Sequence, residues 1–91
     1  MTTVAGIFQP NSNSSTGTAM SGSDIQCLSL DVVPLGTNNG NYVNIGGSAN
    51  ACLFPVSWSK PSQLPLVNLK NVFISTSTNG DGVAYIYTTQ P

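Results

Sequence analysis

Few groups in this chain can do chemistry near neutral pH. They are the thiols of Cys27 and Cys52, the carboxylates of Asp24, Asp31 and Asp81, the amines of Lys60 and Lys70, and hydroxyls. There is no His. General acid–base catalysis at this pH draws on His or on carboxylates held near a substrate. The three Asp residues are scattered, and Asp81 falls in Asn79-Gly80-Asp81-Gly82, where an Asp is an ordinary turn residue. A Ser/His/Asp relay needs a His, which leaves only a Ser–Lys pair open. Neither cysteine has a neighbouring base or cation in the sequence to hold a thiolate. Two cysteines without histidine do not complete a zinc site. Gly46-Gly47-Ser48 lacks the lysine of a phosphate loop. The expectation is a protein that is not an enzyme and that carries no cofactor and no metal.

Cys27 and Cys52 lie in the apolar runs IQCLSL and ACLFPV. One disulfide between them is possible, worth roughly 3 kcal/mol in the chain-entropy model. The apolar surroundings favour the other reading, two buried thiols that behave as small hydrophobes.

The elements that would position these groups are strands. Ser, Thr, Asn and Gly make up 40 of the 91 residues, and they suit turns and strand edges more than helices. Val, Leu, Ile and Phe make up 23 residues, enough for one small core. The expected fold is all-β: a compact antiparallel sandwich or small barrel of about five to six strands. Residues 1–22 are expected to form an N-terminal arm or flexible segment, and residues 23–91 the β domain. Within the arm, PNSNSSTGTAMSGS is polar and of low complexity. Val4, Ile7 and Phe8 are candidate anchors if the arm becomes ordered against a neighbour.

In SDIQCLSLDVVPL, strict alternation puts Leu28, Leu30 and Val32 on the core face and Ile25, Cys27, Ser29 and Asp31 on the other. Pro34 should end that strand or lie at an edge. A short strand over 41–45 turns Val43 and Ile45 inward and Tyr42 outward. Cys52, Phe54, Val56 and Trp58 share one face and form the expected core stripe, with Pro55 marking an edge or a bulge. KPSQLP is extended by its prolines. NVFISTSTNGDGVAYIY predicts a β-hairpin turning at Asn79-Gly80 or Asp81-Gly82. Tyr87, near the end, is expected to be exposed; Tyr at a rim often marks a protein contact.

Only five side chains are charged, and the formal net charge is −1. Ordinary domains carry about 25 per cent charged residues, against 5 per cent here. Charge normally keeps freely diffusing proteins apart. A surface of neutral hydroxyls and amides suits a subunit of a larger assembly, or an extracellular protein. Two lysines cannot supply the phosphate neutralisation of nucleic-acid binding. No apolar run approaches 18 residues, so no membrane partner is expected, and the first residues lack the pattern of a secretory signal.

LPLVNLKNVFI, Leu64 to Ile74, followed by Thr78–Gly80 and then Val83–Tyr87, resembles the ends of small virion proteins of tailed bacteriophages, the capsid decoration or cement class. The resemblance implies a small β protein on the capsid exterior, made in the host cytoplasm. Its implied partner is the major capsid protein, and it is expected to be a homo-oligomer there. The rival expectation is a glycan- or receptor-binding module of a head fibre or tail, for which Trp58, Tyr42, Tyr85 and Tyr87 would be the stacking residues.

Overall fold

The computed structural model describes residues 2–10, 16–38, 43–50, 52, 54–57, 62–78 and 80–89. These residues are all-β, with eight strands among them in two antiparallel four-stranded sheets. They are β1 (Thr2–Phe8), β2 (Thr18–Ala19), β3 (Gln26–Pro34), β4 (Val43–Gly46), β5 (Phe54–Pro55), β6 (Ser62–Asn68), β7 (Phe73–Thr76) and β8 (Val83–Thr89). The first sheet runs β1-β8-β3-β6 and the second β2-β7-β4-β5. The expected class holds, with eight strands in place of five to six. The increase comes from β1 and from the two-residue strand β2, both within the segment expected to be an arm, the second too short to leave an alternation pattern. The core joins both sheets: Leu30, Val32 and Val83 from the first meet Val43, Ile45 and Ile74 from the second.

The segment expected to be a flexible arm begins as a strand. Thr2 to Phe8 pair residue by residue with Thr89 to Val83. Val4, Gly6 and Phe8 share the inner face with their partners Tyr87, Tyr85 and Val83, while Ile7 points outward. Gly6 leaves room for the Tyr85 ring: a Cβ on it would lie 2.8 Å from the Tyr85 hydroxyl, and the ring would have to shift. Residues 11–15 of the expected arm lie outside the described residues.

The predicted hairpin is absent. β7 belongs to the second sheet and β8 to the first, so the chain crosses the sandwich between them. The turn signals are real: Asp81 N–H donates to the Thr78 carbonyl at 3.1 Å, and Gly80 takes a φ of 93°. The pairing differs because strand lengths differ. A hairpin would give the seven-residue β8 only the four residues of β7, whereas β1 and β3 satisfy its backbone on both sides. The crossing is tied down by Asn38. Its amide donates to the Gly82 carbonyl at 3.0 Å and accepts from Gly82 N–H at 2.9 Å. Leu35 N–H donates to the same carbonyl, and the Gln9 side chain donates to the Gly80 carbonyl at 2.8 Å.

β3 departs from strict alternation. Cys27 pairs with Thr89 and Ser29 with Thr88, so Leu28 is an extra residue against β8. This bulge changes the phase of the strand. Cys27 therefore joins Leu30 and Val32 in the core, contrary to the alternation, and Leu28 is only half-buried. Pro34 ends β3 as expected. Val43 and Ile45 point inward as expected. Tyr42 and Trp58 lie outside the described residues.

Both thiols are free and buried, in line with the favoured reading. Burial pushes both above their usual pKa. For Cys52 the Ser75 hydroxyl exerts a lesser downward pull. That hydroxyl is itself buried, with no partner of ordinary hydrogen-bond geometry among the described residues. The unfolded chain therefore releases thiol protons at a lower pH than the folded one, and stability falls as pH rises above the ordinary thiol value of about 8.5. Urea midpoints at rising alkaline pH should show this loss, and Cys27→Ala with Cys52→Ala should flatten its thiol part.

Candidate protein-contact surfaces

With few chemically active groups, the features that distinguish this molecule are apolar side chains left facing solvent. Ile7, Phe54, Leu66 and Ile86 are 60, 69, 71 and 44% exposed. They fall in two places, each set by the sheet topology.

The first is a groove of about 610 Å³ at one open side of the sandwich. It runs between the edge strand β6 of one sheet and the β4–β5 pair of the other. Phe54 and Leu66 line it, with Ile45, Leu64, Val67 and Val72 among its other walls, and among the described residues none that line it is ionisable. Phe54 differs from the expected core stripe. Cys52 and Val56 are buried as alternation requires, but Phe54 lies in a two-residue edge strand, and among the described residues no strand lies beyond it to cover the ring. Leu66 has a φ of 50°, a left-handed conformation that costs a non-glycine residue about 1–2 kcal/mol. It stands between Pro65 and Val67, opposite the Leu28 bulge. Strain of this kind collects where a surface is used.

Amide groups fix one end of this groove. Asn68 Oδ1 accepts from Lys70 N–H at 3.0 Å and from Ile25 N–H at 3.2 Å, and its amide nitrogen donates to Asp24 Oδ1 at 3.4 Å. Asn68 thereby caps the short 3-10 turn Leu69–Asn71 and ties it to the segment before β3. Leu69 and Val72 are buried beneath that turn.

The second place is the outer face of the first sheet. Cross-strand pairing sets Ala5, Ile86 and Asp31 in one row, and Ile7, Ala84 and Val33 in the next. Asp31 is the only ionisable group in these two rows.

The residues expected to make contacts are divided by this geometry. Ile7 is exposed on the outer face. Val4 and Phe8 are half-buried on the inner face, Phe8 against the core. Tyr87 is also half-buried, where the sequence suggests exposure. It packs on the core and stacks on Tyr85, with ring centroids 5.9 Å apart and planes 16° from parallel. Phe54, Leu66 and Ile86 are the exposed residues the sequence reading did not single out. A signal existed for Ile86, which alternates with Val83, Tyr85 and Tyr87. None existed for Leu66, whose exposure follows from its edge position and local bend.

Among the described residues, no group of three or more His, Cys, Asp or Glu side chains could hold a metal ion. Among them, no helix is long and apolar enough to cross a membrane. Comparison with family models, curated proteins and solved structures found no match for this chain.

Proposed function

We propose that this protein is a structural component of a virion, a decoration protein on the outer surface of an assembled phage capsid in contact with the major capsid protein. The observation that carries the reading is the groove at the sandwich edge: a concave surface, uncharged among the described residues, with Phe54 and Leu66 at its lip, on a chain almost without ionisable side chains. A neutral polar surface can cover another protein without the cost of desolvating charge. A subunit that binds only the assembled shell stabilises that shell by mass action. Many weak contacts on one rigid lattice then add together. The resemblance of Leu64–Ile74 and Val83–Tyr87 to virion proteins of this kind points the same way.

The test is quantitative mass spectrometry of the intact particle from the source. A copy number that follows the shell lattice is expected, and a few copies at one vertex would favour the fibre or tail module instead. Phe54→Ser combined with Leu66→Ser tests the contact itself. Each side chain is already exposed, so the folded protein should keep its stability. Burial of the two on a partner is worth about 3 kcal/mol together, so attachment should weaken about a hundredfold. Unchanged attachment of the double variant in a pull-down with purified shells would remove the groove from the interface.

A further inference from the structure

The two sheets have four edges, and three of them are blunted. β6 carries Pro65 and the bend at Leu66. β5 is two residues long and contains Pro55, and β2 is two residues long. Such features are how natural sheets prevent further pairing. β1 has none of them. Thr2–Phe8 is seven residues long, has no proline and no charge, and pairs with β8 without a register shift. Its other side is an outermost edge of the sheet. A strand of this kind is open to another strand.

We propose that β1 pairs antiparallel with β1 of a second copy, joining two four-stranded sheets into one of eight. The sequence of the strand selects the register. A two-fold axis at Ala5 pairs Thr2 with Phe8 of the second copy, Thr3 with Ile7, Val4 with Gly6, and Ala5 with Ala5. This register pairs all seven residues and keeps every inner-face residue opposite an inner-face one, as the two-residue period requires. Other two-fold registers lose pairs or set inner residues against outer ones. With no charge on the strand, identical copies meet without repulsion. The space beside Gly6, opposite Val4 of the second copy, is already covered by the Tyr85 ring. On the outer face, Ala5, Ile7 and Ile86 become one continuous apolar band across both copies. The new outermost strands are the two β6 edges, so pairing closes at the dimer and does not run on into a fibre.

The proposal is independent of whether the partner assembly is a shell, and it is tested on the isolated full chain. Sedimentation equilibrium across a concentration series is expected to show a monomer–dimer equilibrium. Ala5 is exposed on the outer face, so Ala5→Lys and Ala5→Glu should both fold. Each sets two like charges directly opposite one another and should weaken the dimer about fivefold or more. An equimolar mixture of the two should recover association as a heterodimer. Ile86→Lys is the control. Its two copies would stand three strand spacings apart, about 14 Å, beyond the screening length of roughly 8 Å in physiological salt, so dimerisation should persist. A wild-type chain that stays monomeric throughout would overturn the proposal. So would a dimer indifferent to both Ala5 charges, or a mixture no tighter than either variant alone.

Discussion

Gly82→Ala is expected to lower stability by about 3 kcal/mol, the upper range for forced overpacking, and the melting temperature by at least about 12 °C. The reason is steric. A Cβ at position 82 would fall on the Phe8 carbonyl and within 2.9 Å of the Gln9 Cα, both backbone atoms that cannot rotate away. Relief would require the end of β1 to separate from the crossing between β7 and β8. That movement would also strain the Asn38 and Gln9 bonds to Gly82 and Gly80. The nearby Gly80 provides the contrast. A Cβ there meets nothing within 4 Å, but φ is 93°. Gly80→Ala therefore incurs only the left-handed backbone cost, about 1–2 kcal/mol. Gly22→Ala and Gly47→Ala, where a Cβ meets open space and no positive φ applies, should be close to neutral. Thermal denaturation of the four variants orders them. Equal effects at 80 and 82 would mean that the strand end does not pack on this glycine.

The same loop shows how far the sequence could be read. Turn chemistry is local, and Asn79-Gly80-Asp81-Gly82 declares a reversal from the residues alone. What a reversal joins is not local. Whether the chain returns beside itself or crosses to the opposite sheet depends on which strands can satisfy β8 on both sides. Here those are β1 and β3, the first of which precedes β8 by most of the chain. The second glycine of the pair serves this distant contact, and nothing in a turn motif distinguishes it from a glycine chosen for positive φ.

Candidate contact residues were legible to a similar depth. Ile7 could be picked out as an apolar residue in a short N-terminal patch, and the fold leaves it exposed. Alternation with Cys52 and Val56, which are indeed buried, predicts a core position for Phe54. Alternation tells which face a residue occupies, but burial also requires something beyond the edge to cover it. β5 is the last strand of its sheet, a fact of topology that the sequence of β5 does not contain. The charge-poor composition is legible at once, and it is reflected in a groove with no ionisable residue among the described ones.

The bulge in β3 provides the sharpest test of the core, because strict alternation and the observed strand assign different roles to neighbouring residues. With strict alternation Leu28 and Leu30 are equivalent, and truncating either would leave a similar cavity. In the bulged strand Leu30 is fully buried between the sheets, while Leu28 is half-buried and Cys27 takes the inner position. Leu30→Ala is therefore expected to cost about 3–4 kcal/mol, since it removes the transfer free energy of a buried leucine and leaves a cavity in the core cluster to which Val32, Val83 and Ile74 also belong. Leu28→Ala should cost about 1 kcal/mol, for the part of its area hidden from water. Cys27→Ser places a hydroxyl where the thiol is wholly enclosed and donates to the Ile25 carbonyl at a sulfur–oxygen distance of 3.6 Å, long for a hydroxyl. That change should cost about 1–3 kcal/mol, more than Leu28→Ala despite the smaller loss of volume. Urea unfolding of the three variants decides the matter. The order Leu30, then Cys27, then Leu28 follows from the phase change at the bulge, and equal losses at Leu28 and Leu30 would restore the unbroken strand.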